Sequence, residues 1–132
     1  MPRTAIVFYR HHKGHAPVRD WLQSLQWRDR FASAKCIEAI RRLAIEGHEL
    51  RRPTAAYLRA GIHELRVDRG RVHYRILYFF HGRNVVVLTH GLTKEGVVPG
   101  PDMHPALIRK AAYEEDPQAH TYPEGTWDAQ DH

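Results

Sequence analysis

The sequence predicts an α+β fold: a helical hairpin packed on one face of a mostly antiparallel four-stranded sheet, with a C-terminal helix after the sheet. Apolar residues recurring at spacings of three and four before residue 47 predict the hairpin. Runs alternating with period two between residues 62 and 94, separated by turn residues, predict a meander. A β-branched and aromatic run near the start supplies the remaining strand.

That first strand is Ala5-Ile-Val-Phe-Tyr9, stopped by the polar loop His11-His-Lys-Gly-His15. Pro17 opens a short helix through Leu25, at a position where its missing N–H costs nothing. From Asp29 to Glu46 the apolar positions Phe31, Ala34, Ile37, Ile40, Leu43 and Ala44 give a second helix, which Gly47 ends. Residues 48–58 lack periodicity and read as a loop. Ile62 to Val67, Val72 to Phe80 and a strand from Val85 then follow, joined at Asp68-Arg69-Gly70 and at His81-Gly82-Arg83-Asn84. Asp102 can cap a last helix running to about Tyr113, with Ala106, Arg109 and Lys110 along it.

With 132 residues, 42% of them hydrophobic, the chain has the size of one domain, placed at residues 1–116. All 20 Lys and Arg and 9 of the 15 acids lie in residues 1–113, a net +11, while the remaining 6 acids leave −6 for the end of the chain. A basic body points to nucleic acid or another polyanion, and residues 117–132 read as an acidic, flexible tail. The single cysteine, Cys36, excludes a disulfide framework and fits a reducing, cytoplasmic setting. No apolar run approaches the roughly 18 residues of a membrane span. The histidines show no H-E-x-x-H spacing, and His11, His12 and His15 have no carboxylate beside them in the loop, so neither metal nor other cofactor is expected. Ser24 and Ser33 stand in no nucleophile motif, and no glycine-rich phosphate loop occurs. Trp21 and Trp27 are assigned to the core or to a partner contact rather than to base stacking.

Alternation places the charges. Val72, Tyr74, Ile76, Tyr78 and Phe80 form the core face of their strand, joined by His63, Leu65 and Val67 from the strand before and by Val85 and Val87 from the strand after. The opposite face then collects Glu64, Arg66, Arg71, His73, Arg75, Leu88, His90, Leu92 and Lys94, and no helix is expected over it.

Such a surface suits metal-free RNA cleavage. The 2′-hydroxyl attacks the neighbouring phosphate if one group accepts its proton, cations stabilise the phosphorane and another group protonates the leaving oxygen. Arginine stays charged, so Arg66, Arg75 and Arg59 can bind and stabilise phosphate but cannot move the proton. His73, His90, Lys94 and Glu64 are the candidates for that step. The expected catalytic set is Arg66, Arg75, His90 and Lys94, with Arg59, Glu64, Arg71 and His73 contacting substrate.

Three motifs in order carry a family resemblance: Leu58-Arg-Ala-Gly-Ile-His-Glu-Leu-Arg66, Tyr74-Arg-Ile-Leu-Tyr-Phe79 and Leu88-Thr-His-Gly-Leu-Thr-Lys94. Together they resemble the RelE/ParE toxin superfamily, in particular its HigB-like, phage-associated subgroup, over about residues 5–113. The resemblance implies a RelE-like fold and a type II toxin that cuts mRNA on the ribosome. It also implies a cognate antitoxin, often a HigA-like helix-turn-helix protein, through which alone the toxin meets operator DNA. Position by position it marks Arg59, Arg66, Arg75 and Lys94. Three departures stand out: Glu95 where a second lysine is usual, Leu92 in place of an aromatic, and Thr89 inserted into Leu-His-Gly. Two other readings stay open, a ParE-like inhibitor of DNA gyrase and a basic nucleic-acid-binding module without catalysis.

Overall fold

The computed structural model describes residues 4–12, 14–96 and 103–123. Along the chain come β1 (Ala5–Phe8), α1 (Pro17–Arg28), α2 (Arg30–Glu46), β2 (Ala55–Arg59), β3 (Ile62–Arg69), β4 (Val72–His81), β5 (Val85–Glu95) and α3 (His104–Glu115). The strands make one five-stranded sheet in the order β1-β5-β4-β3-β2, with β1 parallel to β5 and every other pair antiparallel. No described helix is long and apolar enough to cross a membrane.

The helical hairpin forms as its local pattern dictates. Pro17 occupies the first turn of α1. Asp29 then turns the chain, its carboxylate accepting the N–H groups of Phe31 and Ala32 at 3.1 and 3.2 Å, orphan donors at the start of α2. The same carboxylate binds Arg69 Nε at 2.8 Å, and Arg69 first, with the two backbone N–H groups, holds its pKa below the ordinary value. Gly47 ends α2 at φ +54, where a Cβ would lie 2.6 Å from Thr4 Oγ1. The buried stripe of α2 is Ala32, Ser33, Cys36, Ala39, Ile40, Leu43 and Ala44, whereas Phe31 and Ala34 are exposed. Ile40 and Leu43 fill the core from that stripe, and the small side chains between them let α2 approach its neighbours closely. Cys36 belongs to that packing, and burial pushes its thiol pKa up to about 12, so it stays protonated.

The structure corrects four expectations. Residues 55–59 form an edge strand, making the sheet five-stranded rather than four-stranded. Its alanines give little β signal, yet the following Ala60-Gly61, both at positive φ, is the turn of a β2–β3 hairpin. The second face is not left open. Met103, Ala106 and Tyr113 of the α3 segment pack on Ile62, Leu77, Phe79 and Val87 in a second core, so helices pack on both faces of the sheet.

Strand β5 reverses the expected sides at its start. Val86 and Leu88 face the helical hairpin, while Val85 and Val87 join the α3 side. A bulge then follows: Tyr78 pairs with Leu88 but Leu77 pairs with His90, so Thr89 is the extra residue. Its fully buried side chain donates from Oγ1 to the carbonyl of Leu77 at 3.0 Å. The bulge returns His90, Leu92 and Lys94 to the face of Arg75.

The chain after α3 differs as well. Gln118–His120 makes a 3₁₀ turn and Thr121 bridges to Tyr9, so Pro117 to Tyr122, expected in the flexible tail, folds back on the end of β1. Asp102, the expected cap of the last helix, and residues 124–132 lie outside the described residues.

Candidate functional site

Arg75, at the centre of the sheet, is the hub of the charged face. Its direct cross-strand partners are Arg66 on β3 and Leu92 on β5. Glu64 and Asp68 on β3, and His90 and Lys94 on β5, are its diagonal neighbours, a relation of about 7–8 Å between backbones. His73 precedes it by two residues on the same face, opposite Asp68 on one side and Lys94 on the other. The sheet thus brings together Glu64, Arg66, His73, Arg75, His90 and Lys94, all expected in the site, and adds Asp68 to them.

Two arginines directly opposite each other on a sheet repel, so something anionic must hold them. Glu64, 9% exposed, lies 3.9 Å from both Arg66 Nε and Arg75 Nε. Arg75 itself is only 5% exposed and donates from Nη1 to Asp68 Oδ1 at 2.9 Å and to the carbonyls of Tyr74 and Val67 at 2.9 and 3.3 Å. Arg66 is less well satisfied. Its Nε is buried and has no hydrogen-bond partner among the described residues, an arrangement that native proteins rarely leave unexplained.

The two histidines of this face each make a defined contact through Nδ1. His73 Nδ1 sits 2.8 Å from Asp68 Oδ1. Partial burial works to raise the Asp68 pKa, but hydrogen bonds from His73 and Arg75 outweigh it and the net shift is downward. An ionised carboxylate can only accept, so Nδ1 carries a hydrogen, and the neutral form of His73 presents Nε2 as a base. His90 is set the other way. Arg109 of α3 donates from Nη1 to the carbonyl of the bulged Thr89 at 2.8 Å and lies 3.3 Å from His90 Nδ1. Since a guanidinium only donates, Nδ1 accepts and Nε2 bears the hydrogen. Burial lowers the Arg109 pKa, with nearby Tyr9 acting in the opposite sense. Sequence pattern places Arg109 only along the last helix. Its link to His90 requires both the bulge and the docking of α3.

Two residues stand apart. Arg59 pairs with Ile62 at the α3 end of the sheet, four residues along β3 from Arg66. Arg71 lies in the β3–β4 turn, exposed, its carbonyl accepting from Gly96 N at 3.0 Å. Glu95, beside Lys94, pairs across to Val72 on the face away from Arg75. His63 lies on the hairpin side, as alternation placed it, stacked on Tyr78 with ring centroids 5.2 Å apart. Gly91, next to His90, makes room for α1. A Cβ there would meet the Trp21 ring at 2.5 Å, so glycine lets α1 lay its indole against β5, with Nε1 donating to Thr93 Oγ1 at 3.2 Å. No group of three or more histidine, cysteine or acidic side chains is gathered for a metal among the described residues.

Residues 20–112 match the family model described as phage derived protein Gp49-like. The chain belongs to that family. The match runs from within α1 through most of α3 and therefore includes every residue of the Arg75 cluster. The Gp49-like family is associated with the toxins of toxin–antitoxin systems, and a toxin of that kind has a cognate antitoxin as its partner. A comparison with curated proteins found no match.

Proposed function

We propose that this Gp49-like protein is the toxin of a type II system and acts as an endoribonuclease on mRNA at the ribosome, its phosphate site formed by Arg66 and Arg75. The observation that carries the reading is the cross-strand arginine pair, with the buried Arg66 Nε unsatisfied, between two histidines of opposite tautomer. A phosphate seated there would replace Glu64 and the Asp68 contact on the two guanidinium groups, leaving Asp68 on His73, and would satisfy the orphaned donor.

The reaction follows from that arrangement. His73 Nε2 accepts the 2′-hydroxyl proton while Asp68 steadies the imidazolium that forms. The 2′-oxygen bonds to phosphorus, the P–O5′ bond breaks, and the products are a 2′,3′-cyclic phosphate and a free 5′-hydroxyl. Arg66, Arg75 and Lys94 stabilise the extra negative charge of the phosphorane. On the other flank His90 Nε2–H hydrogen-bonds the departing oxygen, which takes its proton from solvent. Arg59 and Arg71, set apart from this centre, would contact flanking phosphates. Such steps need no cofactor.

The test is Arg75→Lys. It keeps the charge, which Glu64 and Asp68 require, and removes the planar fork. Cleavage of translated messages, followed by primer extension, should fall by at least about 100-fold with the thermal transition nearly unchanged. Full cleavage by the folded variant would remove Arg75 from the site. A wild-type protein that arrests growth without cutting any message would replace the nuclease with a non-nucleolytic inhibitor.

A further inference from the structure

We infer that the tip of the helical hairpin carries a second RNA subsite, which holds one unpaired nucleotide with its base on the Trp27 indole and its phosphate on Arg30. Trp27 is 92% exposed, while α1 packs through Val18, Leu22 and Leu25, so the fold gives this indole nothing to do. It forms a wall of an open recess of about 500 Å³, lined otherwise by Gln23, Gln26 and Arg30. Each of these matches a part of a nucleotide. An indole face stacks any base, primary amides bond the polar edges of bases, and a guanidinium grips phosphate. Gln23 is best oriented with its amide oxygen accepting from Arg19 at 3.1 and 3.2 Å, which leaves its NH₂ as a donor.

The charge around the recess selects a polyanion over an apolar or basic peptide. Its lining contains no carboxylate. Arg28 is exposed beside Trp27, and the guanidinium groups of Arg30 and Arg69 lie over the Phe31 ring at 5.4 and 5.3 Å. The nearest acid in sequence, Asp29, is committed to Arg69 and to the start of α2. Exposed aromatics interleaved with arginine are the pattern by which single-stranded nucleic acid is held without regard to sequence. Arg69 also joins the two sites: it directly follows Asp68 in β3 and reaches across to Asp29, so the tip and the Arg75 cluster share one end of the sheet. The assignment rests on the reading that RNA is the substrate and extends it to a nucleotide flanking the cut. It also revises the sequence-based placing of Trp27, because Trp21 is packed on Gly91 and Tyr74 and Trp27 is not.

The experiment compares wild type, Trp27→Ala, Arg30→Ala and Arg75→Lys for binding to an oligouridylate of about ten nucleotides and to an abasic strand of the same length. Binding is read by intrinsic tryptophan fluorescence and by anisotropy of a labelled strand. Oligouridylate should quench wild type, and Trp27→Ala should bind it roughly 5- to 150-fold more weakly and lose most of the quench. The same substitution should leave abasic binding unchanged, whereas Arg30→Ala should weaken both. Arg75→Lys should keep the Trp27 quench while losing cleavage, so a failed nuclease reading and a failed subsite give different results. Equal affinity of Trp27→Ala and wild type for oligouridylate would overturn the subsite. So would unchanged RNA binding coupled to loss of antitoxin capture, which would assign the tip to a protein partner.

Discussion

The two faces of β3 and β4 are built from alternate residues of the same strands, yet they solve opposite problems. On the hairpin side Leu65, Val67, Tyr74, Ile76 and Tyr78 are buried against α1 and α2, a dry layer whose stability scales with apolar area removed from water. On the other side Glu64, Arg66, Asp68, His73 and Arg75 occupy the intervening positions, both arginines paired with carboxylates and His73 with Asp68. A deeply buried guanidinium is tolerable there only because Asp68, Glu64 and two backbone carbonyls surround it. The apolar face holds the fold together, while the charged face, on the proposed function, positions the reactive groups. Damage to the first should cost stability, and damage to the second should cost chemistry.

The largest expected effect lies on the apolar face. Leu65 is fully buried, and Leu65→Ala should destabilise the fold by about 2–5 kcal/mol, measured by urea unfolding. A loss below about 1 kcal/mol would mean that the hairpin layer is not the principal core. Gly91→Ala comes next, at about 1–3 kcal/mol, since a methyl at that point runs into the Trp21 ring. Trp21→Ala should recover part of that loss in the double variant, and strictly additive losses would show that the clash is not between these two residues.

Asp68→Asn sharpens the charged side. An amide cannot hold both the Arg75 Nη1 and His73 Nδ1 hydrogens as an ionised carboxylate does. Cleavage should fall about tenfold, the worth of one charge-assisted hydrogen bond, and the melting temperature should fall too, because buried Arg75 loses its nearest counter-charge. An unchanged rate would dismiss the Asp68–His73 pair as the source of the base.

The smallest effect is a pH dependence that belongs to the apolar side. Burial, and then His48, lowers the His63 pKa below its ordinary 6.5. The unfolded chain therefore binds the proton at a pH where the folded chain does not. The stabilisation is complete above 6.5 and is lost as pH falls through that value toward the folded pKa. His11, depressed by burial and then by Arg109, His15 and His120, acts in the same direction. The melting temperature should decline on acidification through this window, and His63→Phe should flatten the decline. An identical slope in wild type and variant would show that His63 contributes nothing to it.

Much of the molecule follows from local pattern. The two periodicities, the proline at the start of α1, the glycine ending α2 and the turns between the last three strands are short-range consequences of backbone sterics, and they suffice for the hairpin and the meander. So does the side of the sheet on which Glu64, Arg66, His73 and Arg75 fall, because strand alternation is strict in β3 and β4. Edge strand β2 is less legible, since alanines signal little until a partner pairs with them. Tertiary structure decided the rest. The Thr89 bulge, which sets His90 and Lys94 beside Arg75, depends on a carbonyl of β4 and a guanidinium of α3, both distant in sequence. The same docking covers part of the charged face and fixes the His90 tautomer, and the fold back of residues 117–122 needs Tyr9 and Arg10 as its seat. The amino-acid order alone determines which residues share a face, through the two dihedrals of each residue. Which of them share a site depends on contacts that only long-range packing can make.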